Sequence, residues 1–172
     1  MHTHNHLTQA ICMGLFATLA AAVPLKADDG DKPYNKIVLG ISILNPTGNS
    51  RNIVDGSGYG ISLAAESAYS RLKAEYTELR PLTCPTLTLE GIHRFGSHET
   101  GFNVFGGLVG MMGFLDGEKA YGVGISAGCG YNFNKNIGIE TFYTAANKIT
   151  GSIGIEWIQM SLKIRFSGNL LE

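Results

Sequence analysis

Residues 120–143 read AYGVGISAGCGYNFNKNIGIETFY, and their alternation decides the fold. Tyr121, Val123, Ile125, Ala127, Cys129, Tyr131 and Phe133 hold one parity. Gly122, Gly124, Gly128, Gly130 and Gly138 fall on the other. Strict alternation marks a β-strand. Glycine weakens a strand, because it packs nothing and loses the most entropy on ordering. The surroundings must therefore want one apolar face and one nearly bare face.

The rest of the chain narrows what those surroundings are. It has 172 residues, enough for one domain. It is 44% hydrophobic and only 16% charged, against roughly 25% charged in soluble domains. Glycine, at 23 residues, is about twice its usual ~7% share. The net charge of −1 offers no basic surface for nucleic acid. No window after residue 30 holds the ~18 consecutive apolar residues of a membrane-spanning helix.

Ala10 to Val23 is an apolar run of 14 residues, short for a span and right for the core of a signal peptide. Ala27 before Asp28 supplies a cleavage site, and Ala20-Ala21-Ala22 is an alternative. The leader MHTHNH carries histidine but no Lys or Arg, and a short N-terminal anchor is the competing reading. Cys12 precedes most of the apolar run, unlike a lipoprotein cysteine. The expected division is 1–27 signal peptide, 28–34 periplasmic lead, 35–166 barrel and 167–172 tail.

Eight period-2 runs follow, at 35–44, 57–66, 70–79, 86–95, 101–114, 120–133, 137–146 and 152–166. Ala64–Leu79 has the composition of a helix, but Leu72, Ala74 and Tyr76 alternate with Arg71, Lys73 and Glu75, which favours two strands. The connections predict loops on one rim, at 45–56, 80–85, 115–119 and 147–151, of which only 45–56 is long, and tight turns on the other.

One face is apolar throughout: Ile37, Leu39, Ile41, Ile43, Tyr59, Ile61, Leu63, Phe102, Val104, Leu108, Met112, Phe114, Ile137, Ile139, Tyr143, Ile158, Met160, Leu162, Ile164 and Phe166. The opposite face carries Lys36, Ser42, Ser62, Glu66, Arg71, Lys73, Glu75, Thr88, Glu90, Asn132, Glu140, Gln159, Ser161, Lys163 and Arg165. A soluble barrel turns the apolar face inward; a membrane barrel turns it outward. Bare glycine rows have no use on a soluble exterior. They suit a narrow eight-strand interior that must hold large ionic side chains. The expected fold is therefore all-β: an eight-stranded antiparallel up-and-down transmembrane β-barrel. Tyr131, Phe133 and Phe166 at one rim, and Tyr59, Tyr121 and Phe114 at the other, fit two aromatic girdles. Parity slips at Leu89/Ile92 and at Trp157/Ile158. A bulge near each place would realign the faces; alternatively, the start of the last run projects beyond the lipid.

Gln159-x-Ser161-x-x-Ile164-x-Phe166 resembles the C-terminal assembly signal of bacterial outer-membrane barrels, and YNFNKNIGIETFY resembles the penultimate hairpin of small OmpA-like and opacity-type barrels. Ser161 stands where that signal has glycine, and SGNLLE follows the aromatic. The resemblance implies insertion into the outer membrane by the assembly machinery, with outer-membrane lipids and lipopolysaccharide as surroundings.

Lys36, Glu66, Arg71, Lys73, Glu75, Glu90, Glu140, Lys163 and Arg165 share the inner face, so they are expected to pair and plug the lumen. Lipid A deacylases are barrels of this size, with a His-x-Ser pair in the final hairpin. Gly154-Ile155-Glu156 resembles their acidic element, but Phe142-Tyr143-Thr144-Ala145-Ala146 offers neither residue, so no base activates a hydroxyl. Cys84 and Cys129 are expected to stay unpaired, and no metal or cofactor spacing is present. The reading is a non-enzymatic barrel serving envelope structure or surface interaction through its loops. The competing readings are a deacylase-like membrane enzyme and a soluble lipocalin-like carrier.

Overall fold

The computed structural model describes residues 35–97, 99–115, 118–148 and 154–167, with the side chains of residues 115, 148 and 167 excepted. The expected signal peptide, periplasmic lead and C-terminal tail, and most of the 147–151 loop, lie outside the described residues.

Eight strands form: β1 (Lys36–Pro46), β2 (Gly58–Glu66), β3 (Ser70–Leu79), β4 (Leu82–Gly96), β5 (Gly101–Leu115), β6 (Glu118–Asn132), β7 (Ile137–Lys148) and β8 (Gly154–Ser167). Each pairs antiparallel with the next, and β8 returns to β1 to close the barrel. A 3₁₀ segment, Gly48–Asn52, lies between β1 and β2 and is called the cap turn below.

The helix-like stretch Ala64–Leu79 is two strands, paired from Glu66↔Arg71 to Tyr59↔Glu78. Ser67 reverses the chain: its Oγ accepts from the backbone N–H of Tyr69 at 3.3 Å and Ser70 at 3.0 Å. The two other turns on that rim use the same device. Ser97 Oγ accepts from Thr100 N at 3.0 Å, and Asn134 Oδ1 accepts from Asn136 N and Ile137 N at 2.8 and 2.9 Å. Short side chains that bond the nearby backbone favour turns over helix.

The opposite rim differs from expectation. The 80–85 segment is not a loop: Leu79 pairs with Leu82, so Arg80-Pro81 is a two-residue turn and β4 begins at Leu82. Pro85 sits inside β4, opposite Tyr76 of β3. On its other side the β4–β5 ladder has a gap between Thr83↔Phe114 and Thr86↔Met111, where a missing N–H costs nothing. Leu115 likewise pairs with Glu118 across a two-residue connection. Among the described residues only the segment between β1 and β2 is long, as the sequence predicts.

Neither expected bulge exists. The β4–β5 register is constant from Thr86↔Met111 to Gly96↔Gly101, and the β7–β8 register is constant from Asn147↔Gly154 to Ile137↔Ile164. Ile92 and Trp157 simply point inward, where both are buried.

The faces fall as the alternation predicts. Ile41 is 63% exposed, Ile125 59% and Leu162 50%, whereas Glu75 is 4% and Lys163 3% exposed. Leu72 and Ala74 of β3 are exceptions, outward in parity yet buried.

The inward glycines have two causes. At Gly130 a Cβ would lie 2.7 Å from Glu140 Cγ and 3.1 Å from Asn103 Oδ1, so the residue makes room for a polar side chain. At Gly124 it would collide with the backbone of Ala145 and Ala146, because the wall curves tightly there. Outward Gly110 has no such constraint: its nearest neighbour would be Leu87 O at 3.9 Å. Gly124→Val is therefore expected to destabilise the barrel by at least the ~1–3 kcal/mol of an overpacked core. Gly110→Ala should change stability by less than about 0.5 kcal/mol. Parallel denaturant titrations of the two refolded variants check the contrast.

Candidate functional site: the closed lumen

The lumen has two layers. The layer nearer the tight-turn rim is ionic, and Arg71 is its centre. Arg71 Nη1 donates to both oxygens of Glu140, at 2.8 and 2.9 Å. Its Nε donates to Glu90 Oε2 at 2.6 Å, and Nη1 lies 3.4 Å from Glu66 Oε2. Lys163 bonds Glu140 and lies 4.0 Å from Glu66. Arg165 Nε reaches Glu66 at 3.2 Å and its Nη2 donates to Asn132. Lys73 lies 3.2 Å from Glu75 and 4.0 Å from Glu90. Ser126 donates to Glu90 at 3.1 Å. These contacts join eight of the nine charged residues expected inside. Lys36 lies at the rim, half-buried and opposite Glu66 in register.

The network is tightly framed and leaves little room for water. Its internal cavity is about 10 Å³, room for at most about one water. Arg71 stacks on Phe105 at 4.7 Å and Lys73 on Phe142 at 3.8 Å. Phe105, Phe142 and Ile92 make an apolar wall beside these charges. Such charges repay their desolvation only through close pairing and hydrogen bonds, and each carboxylate here has more than one partner. The layer is built to fix register and close the channel.

The second layer is apolar and was not expected. Leu44, Val54, Leu79, Leu82, Cys84, Met111, Ala146 and Trp157 form one buried cluster at the loop end, with Ile53 and Ile155 against it. The cap turn seals it. Thr47 N–H donates to Glu156 O at 2.9 Å, Glu156 N–H donates to Ser50 Oγ at 2.5 Å, and Asp55 N–H donates to Arg80 O at 2.7 Å. These bonds fold the 47–57 segment inward and carry Val54 into the barrel mouth. Trp157 Nε1 donates to Gln159 Oε1 at 3.1 Å. Gln159 Nε2 donates to Ser42 Oγ at 2.7 Å and to Glu75, so this chain of bonds joins the two layers.

Arg94 is the ionic residue that sequence reasoning missed. Its Nη2 lies 2.8 Å from Glu66 Oε1. It shares parity with Thr88, Glu90 and Ile92, and the supposed bulge at Ile92 would have turned it outward. The apolar layer was missed for the same reason: Trp157 and Ile155 read as a slip when they were the far half of the lining.

The remaining sequence-predicted residues separate by face. Gln159 and Ser161 point inward; Ile164 and Phe166 point outward. Cys84 and Cys129 are both free, the first in the apolar layer and the second on the outer wall. Glu156, of the deacylase-like Gly-Ile-Glu step, accepts from Tyr143 Oη at 2.8 Å on the outside of the barrel. Phe142 fills the lumen.

Exposed aromatics ring both ends. Tyr131 and Phe133 are 5.5 Å apart at the tight-turn rim, near Phe166, and Phe95 and Phe102 pair at 5.7 Å. Tyr69 also belongs to this rim. Tyr59, Tyr121 and Tyr143 mark the other, where Tyr59 Oη donates to Glu78. Tyr121 and Tyr131 are about ten residues apart on β6. At ~3.4 Å per residue and a tilt near 45°, the belt between them is about 24 Å tall, close to the ~25 Å apolar band of membrane barrels.

No protein-family profile and no curated protein matches this chain in sequence. Solved structures do match in fold. The N-terminal β-barrel domain of Pseudomonas aeruginosa OprF superposes with a TM-score of 0.57 at 16% identity, covering 78% of this chain and all of that one. P. aeruginosa outer membrane protein H (OprH) gives 0.57 at 17%, covering 76% of this chain and 99% of that one. P. aeruginosa OprG gives 0.51 at 15%, covering 81% and 99%. This chain therefore has the fold of the small eight-stranded outer-membrane β-barrels.

Proposed function

We propose that this chain is an integral protein of the bacterial outer membrane, that its lumen is closed, and that it serves envelope structure without catalysis. The supporting observation is the reversal of polarity between wall and lumen. Isolated charges belong in water, yet here the charges are inside and Ile41, Leu108, Val123 and Ile125 are outside. A lipocalin-like carrier needs the opposite arrangement. Lipid and lipopolysaccharide would cover the apolar belt, and the assembly machinery would read β8. Loop-mediated binding is the weaker half of the sequence reading, because the 47–57 segment folds inward and Arg80-Pro81 is a tight turn.

A tagged copy should fractionate with the outer membrane. The detergent-extracted chain should migrate differently on gels before and after boiling. Recovery of folded chain from periplasm without detergent would overturn the proposal.

A further inference from the structure

The apolar layer is not filled. At the loop end it holds a cavity of about 200 Å³, walled by Met111, Gly113, Ala146 and Ile155 and roofed by Ile53, which follows the cap turn. Leu82 and Ala120 complete the wall, and Glu118, Lys119 and Tyr121 stand at its mouth. Glycine and alanine create the space. A Cβ at Gly113 would sit 3.4 Å from Leu82 Cδ1 and 3.8 Å from Cys84 Sγ, ordinary contact distances. A larger side chain there would fit the backbone and occupy the gap.

Size and polarity identify the occupant. A buried water needs two to four polar partners, and an apolar cavity of roughly 150 Å³ stays dry and accepts benzene. Here the inner wall is largely aliphatic, and most of its strand N–H and C=O groups are committed to the ladders, the break opposite Pro85 beside Gly113 excepted. The volume suits one ring with a small substituent and falls short of the ~300 Å³ at which drug-sized pockets begin. Glu118 and Lys119 have opposite charge, so the mouth selects no ion. We propose that this cavity is a binding site for a small neutral aromatic molecule of about the size of a substituted benzene, with Ile53 forming part of its lining.

Trp157 reports on it from the adjoining cluster. It is the single tryptophan of the chain and packs in the same cluster as Met111 and Ala146. The full chain, refolded into phosphatidylcholine vesicles and verified by its unboiled gel position, is titrated with bromobenzene, whose heavy atom quenches indole fluorescence at short range. The expected result is a saturable quench of Trp157 that falls at least five-fold in Gly113→Leu, leaving the linear part that comes from probe dissolved in lipid. Superimposable curves for the two proteins, or a linear quench alone, would overturn the proposal. If Gly113→Leu fails the gel test, Ala120→Leu fills the cavity from the rim and is read the same way. The site does not depend on cellular location. A barrel found folded in periplasm would end the membrane proposal, and the same titration in buffer would still test this one.

Discussion

Arg71→Met is expected to lower the stability of the refolded barrel by about 3–5 kcal/mol, the cost of leaving a buried ion pair half made. Arg71 is fully buried and touches Glu66, Glu90 and Glu140 together. Removing it leaves three carboxylates in a dry lumen with fewer cations between them. Glu140→Gln should cost less, because Arg71 keeps Glu90 and Glu66. The double change Arg71→Met/Glu140→Met should recover part of the loss, since apolar replacement of a whole buried pair is often neutral. Denaturant titration of the vesicle-bound proteins, followed by gel mobility, measures all three. A loss below about 1 kcal/mol for Arg71→Met is what a solvated surface pair gives, and would mean that the lumen is wet.

The second large effect is on the other face. Ile125 is 59% exposed and sits midway between Tyr121 and Tyr131 on β6. On a protein surface in water, Ile125→Arg would change stability by no more than about 0.5 kcal/mol. At the middle of a bilayer it should cost about 2–4 kcal/mol, falling to ~0–1 kcal/mol near the interface. Tyr121→Arg, at the rim, should therefore cost less than Ile125→Arg. Equal costs at the two depths would argue that no bilayer surrounds the wall.

Strand number, order of pairing and facing were all legible in the alternation, because a period of two fixes the face of every residue once one is fixed. The run from Tyr121 to Phe133 was decisive, since no soluble exterior explains Gly122, Gly124, Gly128 and Gly130. What failed was the assumption that each face is uniform. Met111 and Trp157 are apolar and inward because the loop half of the lumen is packed like an ordinary core, and Ile92 and Phe105 because they wall the charges of the other half. Read as parity slips, Ile92 and Trp157 generated bulges that do not exist and hid Arg94. The Arg80–Pro85 loop failed for another reason. Two prolines suggested a loop, but Pro81 lies in a tight turn and Pro85 sits where a ladder bond is missing. The cavity was invisible, because a void depends on how Gly113, Ala146 and Ile53 meet across strands far apart in sequence.

Orientation of the wall is the claim on which the rest depends, and site-directed spin labelling tests it most directly. Single cysteines replace Val123, Ile125, Ala127 and Leu162 in turn, in a background with Cys12, Cys84 and Cys129 changed to alanine. Each labelled protein is refolded into vesicles and its collision rates with oxygen and with a water-soluble nickel chelate are measured. The expected result is high oxygen and low nickel accessibility at all four sites, with the contrast strongest at Ile125. Labels that collide freely with nickel, or with neither reagent because they are packed in a protein interior, would contradict it.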